Sequence, residues 1–329
     1  MKKSVLVTLA DRNYVNQAKQ LFSSVYFNSG WTGDYLLLAH DIPEKDLKWF
    51  RKKGIIVKKV KPLITKSFGN WPSAVVDKFY LFTIYFRKWK NVVYLDGDII
   101  VRAPIEELSK VNGFYAVYYF MILKDGFLKK DEKFNLLRKR YNLNKRTFNS
   151  GVLAFSTNII KKDSFSELKI MLEKYVDTVT GDDPLINLYF QNMCKRLSIE
   201  YNLPNIPSKK LGLISNISKE ISIIQHFMIS RKPWEKDSPF NKEWEKNLEM
   251  AEKINLKNRI KIKDNSKKRG LKYYFLILNL SLYFNTQIYL MKIGRIIKNY
   301  SPRLYEVLRR LTNKYTIFKS HKMINEEST

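Results

Sequence analysis

Hydrophobic and polar positions change period several times along the chain, and each change predicts an element. Residues 4–9 form a short apolar, β-rich run. Across residues 13–27, Tyr14, Ala18, Leu21, Phe22 and Val25 recur at helical spacing, which predicts a helix with one buried face. Tyr35 to Ala39 reads as a second strand. Asp41-Ile42-Pro43-Glu44 has the chemistry of a helix start, and Gly54 marks that helix's end. Ile55 to Val60 predicts a third strand. A helix is expected from Ser73 to Arg87, then a strand that runs into Asp96. Gly113–Tyr119 and Gly151–Phe155 predict further strands, and Leu168–Val176 a helix. Asp182-Asp183-Pro184 reads as another helix start, with a capping Asp and Pro184 in first position. Ile221 to His226 is a last β-rich run, and no internal repeat is present. Strands alternating with helices argue for an α/β fold with a mainly parallel sheet flanked by helices. Ligands in such sheets sit beyond the carboxyl ends of the strands.

One such end carries unusual chemistry. Val92-Val93-Tyr94-Leu95-Asp96-Gly97-Asp98-Ile99-Ile100-Val101 is apolar on both sides of two carboxylates. Side chains alternate along a strand, so Asp96 and Asp98 point to the same side. Two neighbouring like charges at a buried strand end are costly unless a cation sits between them. Mg2+ or Mn2+, which prefer oxygen and commonly bridge substrate phosphates, meet that need. The other reading is a turn, with Gly97 in a special backbone conformation and two solvated acids. The flanking apolar runs weigh toward the cation.

Composition narrows the partners. The chain has 329 residues, 45% of them hydrophobic, enough for a sizeable core in one or two domains. Its net charge of +29 points to polyanions: nucleic acid, an acidic membrane surface or phosphate-bearing glycolipids. A general lysine enrichment is the competing source of that charge. Cys194 stands alone, so no disulfide forms within the chain, which fits a reducing cytosol. The N-terminal apolar run stops at Asp11 and Arg12 and reads as a first strand rather than a signal peptide.

The composition shifts near residue 250, dividing the chain into residues 1–250 and a tail, 251–329. Residues 255–329 hold 17 Lys and Arg against 4 Asp and Glu. Within them, Tyr273 to Met291 is a 19-residue uncharged segment that contains Asn, Ser, Thr and Gln. Those polar residues argue against a spanning helix, and aromatics flanked by lysines suit the headgroup level. From Ser301-Pro302 onward, Leu304, Val307, Leu308, Leu311, Tyr315 and Phe318 share one face of a predicted basic amphipathic helix. Packing on the main domain or on a second subunit is the alternative for both segments.

Four motifs follow one another in order. After the aspartate pair come Phe148-Asn149-Ser150-Gly151-Val152-Leu153-Ala154-Phe155, then Gly181-Asp182-Asp183-Pro184-Leu185-Ile186-Asn187, then His226-Phe227 with Lys232-Pro233-Trp234. In this order the chain resembles glycosyltransferase family 8 over about residues 4–245. That family holds the glycogenins and the retaining galactosyl- and glucosyltransferases of bacterial lipooligosaccharide synthesis. The resemblance implies a GT-A type fold that binds a nucleotide sugar. It implies that Asp96, Asp98 and His226 bind Mn2+ (or Mg2+) on a nucleotide diphosphate, with Gly97 beside it. It places Lys232 on the diphosphate, and Thr8, Ala10, Asp11 and Tyr14 at uracil and ribose. Lys78 falls near donor phosphate and sugar, Asn149 and Ser150 beside the sugar, and Asp182 on its hydroxyls. The basic tail resembles the membrane-binding C-terminal region of the lipooligosaccharide enzymes.

Two positions depart from the family pattern. Asp183 stands where the family usually has Gln, near the sugar face opposite the leaving group. There it is a nucleophile, a stabiliser of oxocarbenium-like charge, or a helix cap. Ile229 stands where a glycine is usual, with Arg231 nearby as another source of positive charge.

The expectation is a retaining hexosyltransferase. It moves glucose or galactose from a UDP-sugar to a glycan or glycolipid acceptor, such as a lipopolysaccharide, lipooligosaccharide or capsule precursor. The expected location is cytoplasmic, peripheral on the inner face of the cell membrane, with the tail on an anionic surface and no specific nucleic acid bound. A self-glucosylating primer like glycogenin and a non-enzymatic polyanion binder are the rivals.

Overall fold

In the computed structural model, the described residues are 2–65, 71–129, 131–175, 178, 180–205, 221–228, 231–258, 260 and 270–304. β1 (Lys2–Ala10), β2 (Asp34–His40), β3 (Ile56–Val60) and β4 (Trp89–Leu95) lie parallel in the spatial order β3-β2-β1-β4. The chain leaves this sheet at Asp96, and β5 (Ile99–Val101) joins a smaller one. β6 (Phe114–Ile122), β7 (Arg146–Ser156) and β8 (Cys194–Arg196) complete a seven-stranded sheet, with β7 antiparallel to β4 and to β6. β9 (Leu203–Pro204) and β10 (Ile224–His226) finish the small sheet in the order β5-β10-β9. The architecture is α/β with a mostly parallel sheet, as the alternation of patterns predicts.

Period-two alternation divides the core. Leu6, Leu37 and Val93 face one side and pack with Ala18, Leu21 and Phe22 of α1 (Val15–Asn28) and with Leu47 and Phe50 of α2 (Glu44–Lys52). Val5, Val7, Leu36 and Val92 face the other side. There they meet Phe134 of α3 (Glu132–Arg140), Leu168 of α4 (Ser164–Lys174) and Phe190 of α5 (Asp183–Phe190). Phe82, Phe114, Phe155 and Phe190 stack in this second layer, and the Phe114 and Phe190 rings lie 4.2 Å apart and nearly parallel. Each buried phenyl contributes about 1.5–3 kcal/mol through its removal from water, so this layer anchors β7 rigidly beside β4.

Several boundaries differ from expectation. The helix predicted over Ser73–Arg87 is two 3-10 segments, Ser73–Phe82 and Ile84–Lys88, separated by an extended Thr83. Its β-branched and aromatic residues lower α propensity, and the Thr83 hydroxyl donates to the Tyr80 carbonyl at the break. Asp182 occupies the cap position of α5, but its carboxylate makes no capping bond. Gly97 has no left-handed backbone.

The division at residue 250 does not coincide with a break in packing. Ala251 and Ile254, just past α6 (Asn241–Met250), are buried in the first core. The Tyr26 hydroxyl donates to the Asn255 carbonyl at 2.8 Å. The uncharged tail segment forms part of α7 (Leu271–Tyr300), whose Leu280 and Phe284 are buried in the same core. Among the described residues, no helix is long and apolar enough to cross a membrane. The amphipathic helix predicted after Pro302 lies outside the described residues beyond Leu304.

Candidate active site

Two strand registers build the site. β7 runs against β4, so its first half lies beside β4's carboxyl end, where Asp96 N donates to the Gly151 carbonyl at 2.9 Å. β10 pairs antiparallel with β5, His226 opposite Ile99, and Phe227 N donates to the Asp98 carbonyl at 3.0 Å. Residues separated by more than a hundred positions thus meet through backbone pairing.

Asp96, Asp98 and His226 each present one ligand atom, and these atoms all lie within 4.8 Å of one another. His226 Nε2 is 3.1 Å from Asp98 Oδ1 and 3.9 Å from Asp96 Oδ2. Neighbouring ligands of an octahedral ion with bonds of about 2.1 Å lie about 3 Å apart. The 3.1 Å pair meets that spacing, and two carboxylates with one imidazole offer oxygen and nitrogen donors to a divalent ion.

The second oxygen of each acid is held by a lysine. Lys232 Nζ donates to Asp98 Oδ2 at 2.6 Å and to the Phe227 carbonyl at 2.6 Å. Lys78 Nζ lies 3.2 Å from Asp96 Oδ1, 2.9 Å from Asp182 Oδ2 and 2.9 Å from Ser150 Oγ. The Tyr94 hydroxyl also donates to Asp96 Oδ1, at 2.6 Å. Burial opposes the charge on Asp98, but His226 and Lys232 outweigh it and hold its carboxyl far below the usual range. Burial likewise opposes the charge on Lys78, and Asp182 and Asp96 outweigh it, keeping the ammonium charged.

Beside this cluster, Asp183 Oδ1 accepts from Ser150 N at 2.7 Å and Oδ2 from Asn149 Nδ2 at 3.3 Å. Ser150 Oγ donates to Asp182 Oδ2 at 2.6 Å. Burial, with the adjacent Asp182 next, raises the Asp183 carboxyl to about 7. Neither acid caps α5 with its side chain, because both carboxylates are committed to β7 and Lys78.

The remaining expected residues divide. Ala10 ends β1, and Asp11 Oδ1 accepts from Asn13 N and Tyr14 N, which turns Tyr14 toward the acids. Burial, then Asp98 and Asp96, raises the Tyr14 phenol above its ordinary value. Tyr14 packs edge-on to Trp234, and a Cβ on Gly97 would lie 3.2 Å from its ring. Close approach, rather than backbone strain, accounts for Gly97.

Thr8 is fully buried inside β1, its hydroxyl has no hydrogen-bond partner among the described residues, and alternation turns it toward the α1 side with Leu6 and Ala10. Lys78 Nζ lies within reach of Asp96, Asp182 and Ser150 and neutralises the two acids. Ile229 lies outside the described residues. Arg231 is exposed and pairs with Asp237.

Asn202 has no signal in the sequence, yet its side chain bonds His226. Gly151 was legible only as part of a motif, although a Cβ there would come within 2.2 Å of His226 Cε1. A separate cavity of about 960 Å³, between Trp31, Trp49 and Leu256, lies toward the amino ends of β1 and β2, away from these groups.

An α/β sheet whose carboxyl end holds paired acids, an imidazole and a lysine defines a GT-A type glycosyltransferase. A profile of Glycosyl transferase family 8 matches residues 5–238, and the chain belongs to that family. It is 23% identical over 260 residues to glycosyltransferase GlyD of Streptococcus pneumoniae serotype 4, covering 71% of this chain and 29% of that protein. It is 22% identical over 174 residues to lipopolysaccharide 1,3-galactosyltransferase of Salmonella typhimurium, covering 51% of each. The chain therefore spans well under two thirds of these relatives' lengths. Among solved structures, the galactosyltransferase LgtC in complex with donor and acceptor sugar analogues superposes with a TM-score of 0.56 at 16% identity. That match covers 80% of this chain and 99% of LgtC.

Proposed function

We propose that the chain is a retaining hexosyltransferase, moving glucose or galactose from a UDP-sugar to a glycan or glycolipid hydroxyl. The convergence of Asp96 Oδ2, Asp98 Oδ1 and His226 Nε2 on one point carries this reading. Mn2+ held there would supply Lewis-acid stabilisation of charge on the departing diphosphate. Lys232 spends two donors on Asp98 and Phe227, which leaves the third for a phosphate oxygen. Tyr14 and Asp11, at the end of β1, border the place for the nucleoside. Asp182 and Asp183 border the place for the hexose. Asp183 is poised near neutrality to hold a proton or to meet cationic character at the anomeric carbon.

The acceptor is proposed as a lipid-linked acidic glycan, met on the inner face of the cell membrane. The +29 charge supports this, as does the relative named for lipopolysaccharide galactosyl transfer. A panel of UDP-sugars, assayed for Mn2+-dependent UDP release, tests the donor assignment. Asp96→Ala or Asp98→Ala should lower release by about 10²-fold or more, the scale of a lost electrostatic stabiliser. Turnover near wild type in either variant would overturn the metal assignment. Growth in the chain's own intact mass with UDP-glucose would instead identify a self-glucosylating primer.

A further inference from the structure

We propose that Asn149 and Asn202 form a polarised amide relay that holds a proton on His226 Nδ1, so that Nε2 is the ring nitrogen left for a cation between Asp96 and Asp98. The proposal rests on the metal reading above for its purpose, though not for its geometry. Side-chain amides and imidazoles are ambiguous as donors and acceptors until a fixed partner orients them. Here the fixed partner is a backbone group. Gly151 N–H can only donate, and it lies 3.0 Å from Asn149 Oδ1, which must therefore be the oxygen. The same oxygen is 2.8 Å from Asn202 Nδ2, which donates to it. The other Asn202 atom, Oδ1, must then accept from His226 Nδ1, 2.8 Å away. His226 Nδ1 thus carries a proton, and Nε2, on the far side of the ring, faces Asp98 Oδ1 at 3.1 Å and Asp96 Oδ2 at 3.9 Å.

The relay is sealed from water. Asn202 and His226 are each 2% exposed and Asn149 is 9% exposed. Breaking a link leaves a buried polar atom without its partner, a cost that fixes the direction of the chain. At its other end, Asn149 Nδ2 donates to Asp183 Oδ2 at 3.3 Å, which accounts for both amide atoms. Asn202 and Asn149 are positioning residues. They touch the imidazole and the strand, and they act on a bound cation through the ring they orient. Removal of such outer partners typically costs 10–100-fold in metal affinity.

The test uses the full-length metal-free protein at pH 8 with nitrogen-15 in its histidine rings. Long-range proton–nitrogen spectra report which ring nitrogen is protonated, and the resonance lost in His226→Gln assigns the signal among the three histidines. The expected result is a protonated Nδ1 at His226, as the Nδ1–H tautomer or as an imidazolium paired with Asp98. A bare Nδ1 in the wild type overturns the relay without any variant. Asn202→Leu should give mixed tautomers and weaken Mn2+ binding about 10–100-fold, read from the free-ion electron paramagnetic signal. Unchanged tautomer and affinity in a folded Asn202→Leu would also overturn it. Asn202→Asp keeps the acceptor for the ring N–H and should retain the Nδ1–H form, and its loss there counts against the relay. A wild-type chain that shows the Nδ1–H form yet binds no Mn2+ supports the relay and sinks the metal reading alone.

Discussion

At the residue scale, the site depends on how closely β7 approaches the imidazole. A Cβ on Gly151 would meet His226 Cε1 at 2.2 Å and both Asp96 Oδ2 and His226 Nδ1 at 2.8 Å. The ring can escape only by leaving the point it shares with the acids. Gly151→Ala should therefore reduce Mn2+ affinity at least tenfold, alongside an overpacking cost of about 1–3 kcal/mol. Titration calorimetry with Mn2+ and urea unfolding separate the two effects, and unchanged calorimetry would refute the close-packing account. Asp183 makes a different prediction. Burial, with Asp182 next, raises its carboxyl from 3.8 to about 7 in the folded protein. Its proton is held more tightly in the native than in the unfolded state, so its contribution is complete below about pH 4 and is lost as pH rises through about 7. Urea midpoints of the metal-free protein should fall across that window, and Asp183→Asn should flatten the fall. An equally steep fall in the variant would assign the dependence elsewhere. The acids, His226 and Lys232 were legible because ordered motifs mark strand ends, where side chains converge. A motif names residues without their direction, so the burial of Thr8 inside β1 and the pairing of Lys78 with Asp96 and Asp182 had no signal in it. Asn202 was illegible because it sits in the short 3-10 turn Ile199–Asn202, which has no periodicity to read.

At the element scale, the least regular segment carries one of the most constrained side chains. The parallel strands and their helices were legible because each combines a clear period with a terminating Gly, Pro or Asp. The Ser73–Lys88 region was not, since a buried apolar run looks alike in α and 3-10 form. Its 3-10 path is held by Asp77, which accepts from Leu63 N at 2.9 Å and lies 2.6 Å from His40 Nδ1. That clamp delivers Lys78 to the floor of the site, between Asp96 and Asp182. Lys78→Met keeps much of the volume and removes the charge. It leaves two acids without their shared counter-ion, and breaking a buried ion pair on one side costs about 3–5 kcal/mol. Urea denaturation should show that loss, with Lys78→Arg intermediate. Destabilisation below about 1 kcal/mol would mean that the lysine is not the acids' main counter-ion.

At the scale of the whole molecule, α7 has apolar residues on two opposite sides. Tyr273, Ile277, Leu280 and Phe284 pack on the first core, and the helix lies against β6 and the turn that carries Asn202. Leu271, Phe275, Leu278, Leu282, Tyr289 and Ile296 repeat at the same spacing, offset by two residues, and stand more than half exposed. An offset of two residues is about 200° around an α-helix, so one stripe is docked and the other faces outward. Such a stripe is a candidate contact face, and the basic excess of residues 255–329 is what motivates the proposal of an anionic membrane surface as its partner. Full-length protein should sediment with phosphatidylglycerol vesicles and not with neutral ones, less so at high salt. Burying one large apolar side chain contributes about 1.5–3 kcal/mol, and tenfold in affinity is about 1.4 kcal/mol. Phe275→Glu combined with Leu282→Glu should therefore weaken vesicle binding by well over tenfold, while UDP release measured without membranes stays near wild type. If the wild type ignores the vesicles but forms a dimer that this double substitution splits, the stripe is an interface between copies of the chain.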